Sequence, residues 1–446
     1  MAGFGASLIS GIFGALLPIF YQDYLGLAAG WIALASGIYA VWNAINDPLF
    51  GYISDSTRSR LGRRIPYMRF TAPFLALTFI LVWFAPPSGG QLTIFWWMLI
   101  SMVLYDGCYT IIGLAYSALL PEVTESDQER NSLQISSSLF GMFGMLLGFI
   151  IPDLFRPKAG TSPSLLPLQM SMIVVAVVCA VFIIITTYVV KERREFYEGD
   201  KPLPLGKALK TSLPSRSFQI LVAQNFMSIL VSSLVVGSVF YLADYLVPVP
   251  TMVLLACIFV PLLIGIPLTT FLRARLGVVG AQQLLLLTAG VGLLLIVVAP
   301  PPMIPVCLAL AGLGLAGPQT LTNVLFAQVI DENEIRSGVR HEGAFFGINA
   351  LVTKPAQSIA IALSPFILAL THFVTRDQNG GQIFLNQPAS ALLGIRIIVG
   401  LIPGLAMLLG ALILHWFPLR GRHLEEMQRR VLIMHANKHE RLDNPR

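Results

Sequence analysis

The stretch WNAINDPLFGYISDSTRSRLGRRIP, residues 42–66, runs from an apolar helical segment with an internal acid into a strongly basic turn. Four arginines fall between residues 58 and 64. A helix that crosses lipid and ends at the cytosolic surface has this pattern, because positively charged loops are retained in the cytosol. We therefore predict that this stretch is the cytosolic end of a membrane span and the loop that follows it.

The rest of the chain repeats this alternation of apolar runs and short polar loops. Of its 446 residues, 55% are hydrophobic and 12% charged, whereas a soluble domain carries about 25% charged residues. Crossing the hydrocarbon layer takes roughly 20 apolar residues. We predict an all-α membrane fold with twelve spans: 4–22, 31–54, 67–86, 92–119, 134–151, 167–190, 217–241, 252–272, 281–300, 303–329, 343–372 and 389–417.

The basic residues define the orientation of these spans. Most of the 29 Lys and Arg residues lie in alternate loops, at 55–66, 120–133, 191–216, 273–280, 330–342 and 418–446. The opposite loops hold only Arg156, Lys158 and Arg376. The sequence thus predicts a multi-pass protein of the cell (inner or cytoplasmic) membrane with both termini cytosolic. The net charge of +6 reflects topology, so we expect membrane lipids and a small solute as partners, and no nucleic acid.

The sequence contains few signals for other chemistry. The four cysteines lie inside predicted spans without a CxxC pair, which is typical of small apolar residues and not of a disulfide or a metal site. No basic segment precedes the first span, so we expect no cleaved signal peptide. We expect no cofactor apart from a coupling ion and, since no P-loop is present in the sequence, no drive by ATP hydrolysis. The sequence is compatible with a monomeric transporter.

One long polar segment divides the chain. Residues 191–216 combine charge, Pro and Gly, as linkers do. We predict a six-helix bundle at 1–190, this cytosolic linker, a second bundle at 217–417 and a cytosolic tail at 418–446. Arg60-Leu61-Gly62 recurs as Arg275-Leu276-Gly277, as expected of a duplicated half. The tail is either an amphipathic helix on the headgroups or a solvated extension.

The loop after the second span is a candidate cytosolic gate. A glycine allows close helix approach, and an acid at the helix end can pair with arginines or with a facing helix N-terminus. The alternative is an ordinary basic loop with one acid. The candidate gate residues are Gly51, Asp55, Arg58, Gly62, Arg63 and Arg64.

Several of these segments resemble the glycoside–pentoside–hexuronide:cation symporters of the major facilitator superfamily. The specific matches are residues 42–66 and DENEIRSGVRHEGAFFGINALVTK at 331–354; YTIIGLAYSALLPEVTESDQER at 109–130 and ALLGIRIIVGLIPG at 391–404 support them. The resemblance spans nearly the full chain. It implies a fold of two pseudo-symmetric six-helix bundles and cation-coupled symport by alternating access.

A polar face inside the second span is the candidate cation site. Asn43 and Asp47 are four residues apart and share a helix face, and a buried carboxylate is tolerated in lipid when it titrates or binds a cation. By resemblance, Asn43, Asn46, Asp47 and Thr110 match the family's cation site, but Asn43 stands where the family has a carboxylate. Na⁺ and H⁺ both remain open. Alternatively, Asp47 only bonds neighbouring helices.

Further candidates concern coupling and substrate. Lys354 matches a family lysine that the resemblance places near both sites, and Asp47 or Asp106 is its expected partner; a purely structural ion pair is the alternative. Arg396 has either a structural or a substrate-side role. Asp106, Gly113 and Ser117 form one stripe of the fourth span, facing the expected substrate position.

The substrate is less clearly indicated. The family's galactoside-recognising acids are missing, and the matching positions are Gly113, Ser117 and Ser138. Phe4, Phe13, Phe20 and Tyr39 would make the pocket comparatively apolar.

The sequence therefore predicts cation-coupled symport of a small organic solute, a sugar or glycoside-type compound. The first alternative is an amphiphile transporter or flippase without ion coupling. A remote alternative is an intramembrane prenyltransferase-like enzyme, for which Asn43 and Asp47 fit but Gly51 replaces the third ligand.

Overall fold

The computed structural model describes residues 1–56, 59, 61–62, 64–87, 89–122, 127–157, 164–190, 215–247, 249–337, 342–375, 377–379 and 384–443. Regular structure in these ranges is helical throughout. The α-helices are α1 (Ala2–Ile19), α2 (Ala29–Ser56), α3 (Ile65–Trp83), α4 (Gly90–Glu122), α5 (Asp127–Phe155), α6 (Leu166–Val189), α7 (Arg216–Tyr241), α8 (Thr251–Val298), α9 (Ile304–Ser337), α10 (Glu342–Leu370), α11 (Ala389–Arg396), α12 (Ile402–His415) and α13 (Gly421–Asp443). The predicted linker lies outside the described residues over 191–214.

Each predicted span coincides with a helix of the structure, although two of these helices are exceptions to the strongly apolar character of the rest. Within the described ranges, nine helical segments are long and apolar enough to cross a membrane, and one of them, α8, contains two predicted spans. The polypeptide turns inside α8 at Gly277, which has φ +72°. The exceptions are α2 and α5. Polar Asn43, Asn46 and Asp47 lower the hydropathy of α2, and only Phe140–Phe155 of α5 is strongly apolar.

Internal repetition is visible at both ends of the helices. Gly62 (φ +109°) and Gly277 (φ +72°), the last residues of the two Arg-Leu-Gly segments, both adopt the left-handed backbone that favours glycine. A second pair, Asp23-Tyr24-Leu25 and Asp244-Tyr245-Leu246, lies in or at the end of π-helical turns, Phe20–Tyr24 after α1 and Leu242–Leu246 after α7. Single π-turns are rare and concentrate at functional sites.

The chain packs into two compact units. Unit 1 comprises Met1–Pro202, Ser233–Met252 and Gln357–Ile398, and unit 2 comprises Leu203–Ser232, Val253–Ala356 and Val399–Arg446. In unit 1, α1 and α5 pack backbone to backbone: a Cβ at Gly148 would lie 2.8 Å from the carbonyl oxygen of Leu8, and one at Gly144 would collide with that of Phe4.

Unit 2 includes the tail as a helix. Met427 and Val431 of α13 are buried, and His423, Met427 and Arg430 line a small cavity together with Glu332 and Ile335 of α9. The tail therefore forms a helix whose apolar face packs on α9, a contact that neither expectation for the tail included.

Candidate functional site

A polar layer lies between α2 and α4 in unit 1; it consists of Tyr39, Asn43, Asn46 and Asp47 of α2 with Asp106 and Thr110 of α4. The Asn46 amide donates to Thr110 Oγ1 at 3.1 Å and also to Asp106 Oδ2. The Tyr39 hydroxyl donates to Asp106 Oδ1 at 3.0 Å. Asp106 is 6% exposed and Asp47 is half-buried. The structure thus brings Asn46, Thr110 and Asp106 together.

Asn43 is the unsatisfied member of this layer. It is 1% exposed, and neither its amide nitrogen nor its amide oxygen has a hydrogen-bond partner in the structure. The indole nitrogen of Trp42 next to it is also buried without a partner. Each such group costs about 1–3 kcal/mol, and native structures retain them where a ligand or water completes the site. Asn43 therefore has donor and acceptor capacity available for a bound species.

The α4 stripe becomes more open along its length. Asp106 and Thr110 are buried, a Cβ at Gly113 would have no neighbour within 4 Å, and Ser117 is exposed. The Ser117 hydroxyl donates to the Gly113 carbonyl. The predicted spacing of these residues on one face is thus realised, and the open end is the one predicted to be cytosolic.

The aromatic residues expected to line a pocket pack mainly against neighbouring helices. Phe20 is fully buried and contacts Trp83 edge to face, with ring centroids 5.3 Å apart. Phe13 stacks on Tyr105 at 4.5 Å, and Phe4 contacts Phe182 at 5.7 Å. Phe20 therefore stabilises the α1–α3 interface instead of facing a cavity.

Lys354 and Arg396 lie on different units. Lys354 is half-buried on α10 in unit 2, next to buried Thr353. In the same helix Asn349 accepts a hydrogen bond of 3.0 Å from Asn225. Arg396 is half-buried at the end of α11 in unit 1, where the π-helical turn Ile397–Leu401 begins. Its position at a helix irregularity is compatible with both predicted roles.

The predicted cytosolic gate is only partly described. Arg58 and Arg63 lie outside the described residues, as do the side-chain surroundings of Gly51 and Asp55 near the end of α2. Gly62 adopts φ +109°, and its carbonyl accepts a 2.7 Å hydrogen bond from the Ser59 hydroxyl. Arg64 is 7% exposed at the start of α3. The surroundings of Ser138 also lie outside the description.

A buried ionic group that the sequence did not predict lies at the end of the helices opposite the cytosolic loops. The loop charges predict that this end faces outward, and it is called the external end below. This external cluster consists of Asp153, Arg156, Asp244 and Thr251, all in unit 1. Arg156 pairs with Asp153 at 2.7 Å and with Asp244, and Thr251 donates to Asp153 at 2.7 Å. The guanidinium also lies 4.5 Å from the centroid of the Phe240 ring.

Arg156 stays charged in this environment. Burial alone would lower the pKa of its guanidinium, but the adjacent carboxylates of Asp244 and Asp153 raise the pKa above its ordinary value. The Asp153-x-x-Arg156 spacing at a helix end was the one available sequence signal for this cluster. Its partner Asp244 is too distant along the chain for any local pattern to reveal.

Two further buried contacts at the external end join the turn after α1 to α7 and to the turn after α7. The Tyr245 hydroxyl donates to Asp23 at 2.9 Å, and the Tyr241 hydroxyl donates to Gln22 Oε1 at 3.1 Å. The Gln22 amide in turn donates to the carbonyl oxygen of Pro365 at 3.0 Å. The π-helical turns after α1 and α7 therefore place the acid of the first Asp-Tyr-Leu segment against the phenol of the second.

The sequence pattern of MFS/sugar transport proteins matches residues 1–421. The chain belongs to this family. Its members are transporters and not enzymes, so the enzyme alternative is excluded, and the resemblance to cation symporters is confirmed. The chain is accordingly a multi-pass membrane protein that carries small solutes.

Relatives within the family differ in the solutes that their names record. The sodium-dependent lysophosphatidylcholine symporter 1 of Xenopus tropicalis is 23% identical over 95% of this chain and 87% of its own length. The isoprimeverose transporter of Lactiplantibacillus pentosus is 23% identical over 86% of this chain and 81% of its own length.

Solved structures confirm the predicted fold class. The inward open xylose transporter XylE from E. coli superposes with a TM-score of 0.63 at 16% identity, covering 96% of this chain and 98% of XylE. The major facilitator fold is therefore established for this chain.

Proposed function

We propose that this protein is a cation-coupled symporter that moves a small organic solute, a sugar or glycoside-type compound, across the cell membrane by alternating access. Both termini face the cytosol, as the loop charges predict. Na⁺ or H⁺ is the coupling ion. The observation that carries this proposal is the polar layer between α2 and α4, because it gathers carboxylate, amide and hydroxyl oxygens inside an apolar protein.

The composition of the polar layer supports a cation as its occupant. Neither α2 nor α4 contains a Lys, Arg or His, so Asp47 and Asp106 receive no positive charge from their own helices. Oxygen donors are the preferred ligands of hard cations. Lys354 on α10 is the proposed coupling residue.

Alternating access requires each end of the transporter to close in turn. The external cluster and the Asp23–Tyr245 hydrogen bond join helices of the two halves at the external end. We assign these contacts to the closed external gate. The loop with Gly51, Asp55, Arg58, Gly62, Arg63 and Arg64 is the proposed cytosolic counterpart.

Uptake into proteoliposomes tests the coupling. Isoprimeverose uptake is measured with an inward Na⁺ gradient, an inward proton gradient, or neither. The wild type should accumulate solute only with one of the two gradients, and Asp47→Cys should abolish that dependence. Thr93→Cys, an exposed position at the start of α4, is the matched control. Unchanged ion coupling in Asp47→Cys refutes the assignment of the cation site.

A second candidate substrate class is an amphiphile of the lysolipid type. It is favoured by the relation to the lysophosphatidylcholine symporter and by the uncharged first helix with Phe4 and Phe13. The same vesicles supplied with lysophosphatidylcholine discriminate between the two classes. Movement that is unaffected by removing Na⁺ and collapsing the pH gradient would indicate an uncoupled flippase.

A further inference from the structure

A cavity lies at the external end of unit 1, between the turn that joins α1 to α2 and the segment that follows α10. Its volume is about 480 Å³, and its walls include Gln22, Leu27, His372, Phe373 and Gln378. Pockets for small molecules measure about 300–1,000 Å³. This cavity, called the external cavity below, is therefore large enough for a small solute, and it shares no residue with the polar layer of α2 and α4.

Both walls of the external cavity are held by glutamines that lie behind them. Gln91 accepts a hydrogen bond of 2.8 Å from the Ala28 N–H and donates one of 2.8 Å to the Gly26 carbonyl. Gln387 likewise accepts from the Val374 N–H at 2.9 Å and donates to the Val374 carbonyl at 2.7 Å. Loops that are fixed by such paired bonds keep the shape of a pocket before a ligand arrives, which lowers the cost of binding.

His372 has a backbone conformation that favours glycine. Its φ is +59°, and it is the one non-glycine residue with a positive φ in the described part of the chain. It ends α10 in a Schellman motif, in which its N–H bonds the Ala369 carbonyl and the Phe373 N–H bonds the Leu368 carbonyl. In the opposite wall Gly26 has the same left-handed conformation, with φ +65°. A histidine where glycine is the usual residue keeps an imidazole on the cavity wall at a cost in backbone strain.

The side chains of the walls indicate an uncharged, hydroxylated ligand. None of the described lining residues is Asp, Glu, Lys or Arg. Imidazole, hydroxyl and amide groups, here of His372, Thr375 and Gln378, can both donate and accept hydrogen bonds. Leu27 and Phe373 supply an apolar surface beside them. A sugar ring matches this combination, because each of its hydroxyls donates and accepts while its C–H groups need an apolar contact.

The external cavity adjoins the closed external gate. Gln22 accepts a hydrogen bond of 3.1 Å from the Tyr241 hydroxyl. Phe373 contacts the rings of Tyr241 and Tyr245 edge to face, with centroids 5.7 and 5.0 Å away. One wall of the cavity comes from the first predicted bundle and the other from the second, and alternating access separates the bundles at the end that opens. The complete cavity is therefore a feature of the externally closed state.

We propose that the external cavity is a second solute site, which binds an uncharged sugar-type compound from the external side while the gate is closed. A ligand that binds one of two states shifts the population toward that state. Occupation therefore holds the external end closed and slows transport. The inference rests on the alternating access of the proposed function, and it does not depend on which cation is coupled.

Protection of an introduced cysteine tests the site. Ala369→Cys places a thiol on an exposed part of the cavity wall, and its reaction with a hydrophilic maleimide is followed in the purified full-length transporter. At about 0.1 M isoprimeverose a Kd of about 10 mM leaves roughly one cavity in ten empty, so the reaction should slow about tenfold. Thr93→Cys, exposed outside the cavity, should react equally fast with and without the sugar. An unchanged rate at Ala369→Cys overturns the proposal.

His372→Gly separates a ligand contact from a structural residue. Glycine adopts a positive φ without strain, so the melting temperature of the unliganded protein should not fall. The sugar should no longer protect Ala369→Cys in this background. Protection as strong as before overturns the proposal, and so does a lower melting temperature, because the imidazole would then be part of the packing.

Transport distinguishes this inference from the proposed function. Initial isoprimeverose uptake under the coupling gradient should pass through a maximum and fall as external sugar rises, whereas in His372→Gly it should level off. Levelling off in both proteins overturns the inference and leaves coupled symport intact. If the vesicles take up no isoprimeverose, the sugar assignment of the proposed function fails, and protection at Ala369→Cys still supports the site. Protection by glucuronate and not by isoprimeverose overturns the uncharged ligand class and the proposal with it.

Discussion

Replacing Arg156 by Met should open the external end. The side chains of Asp153 and Asp244 are only 7% and 8% exposed, and Arg156 is the basic residue that pairs with both. Removing one partner of a buried ionic group costs about 3–5 kcal/mol because the remaining charge is left uncompensated. That cost applies to the closed state and is relieved when the helices separate and water reaches the two acids.

The size of the effect follows from this difference. About 3 kcal/mol corresponds to roughly two powers of ten in an equilibrium constant, at 1.36 kcal/mol for each power. A Cys introduced at Ser238, which is 1% exposed and within 3.3 Å of Ser364 in the closed external end, reports on opening. Its reaction with a membrane-impermeant maleimide should accelerate about a hundredfold in the Arg156→Met background. The same background without Ser238→Cys measures reaction at the native cysteines.

Arg69 offers a matched control. Like Arg156 it lies over an aromatic ring, 4.0 Å from the Tyr188 centroid, but it is only half-buried and bonds Thr187 at the predicted cytosolic end of α6. Arg69→Met should leave labelling at position 238 unchanged. Equal labelling rates in wild type and Arg156→Met would refute the reasoning, because the ionic group would then not hold this end closed.

Three further changes test other parts of the structure. Tyr245→Phe removes the hydroxyl donor to buried Asp23, and a lost buried hydrogen bond costs about 1–3 kcal/mol. The rate of maleimide labelling at position 238 should therefore rise about tenfold, and an unchanged rate would contradict the gate assignment. Gly148→Ala places a methyl group 2.8 Å from a carbonyl oxygen of α1 and should lower the stability of the fold by about 1–3 kcal/mol, measured as a lower melting temperature. Gly30→Ala, where the added methyl group has open space, should leave the melting temperature unchanged. Equal melting temperatures for the two variants would contradict the close packing. Met427→Asp buries a charge under α13 and should release the tail helix to limited proteolysis, and wild-type resistance would show that the helix is not held by this face.

Much of the polar layer could be predicted from the sequence. Asn43, Asn46 and Asp47 are polar residues in a span where lipid would exclude them, and their spacing assigns them to one face. Thr110, which the resemblance adds to this set, lies 3.1 Å from the Asn46 amide. The hydrogen bond from Tyr39 to Asp106 was missed because a tyrosine in an apolar helix is usually a packing residue, and its hydroxyl becomes informative only once a partner is known.

The external end was less predictable. Arg156 follows a span and looks like an ordinary loop cation, and its burial depends on Asp244, 88 residues away. Phe20 showed the converse error: its aromatic ring suggested a pocket wall, but the π-helical turn at the end of α1 turns it into the packing against Trp83. Pattern analysis finds a residue's face on its own helix, and contacts between distant helices decide what that face meets.

The glycine contacts between α1 and α5 have a mechanical consequence. Because the main chains touch at Gly148 and Leu8, a side-chain rotamer change at this contact cannot absorb a displacement of the two helices. The two helices must therefore move as one rigid body, with Asp23 just after the end of α1 and Arg156 just after the end of α5. Their bonds to Tyr245 and Asp244 would then break in the same stroke, which makes release of this end an all-or-none event.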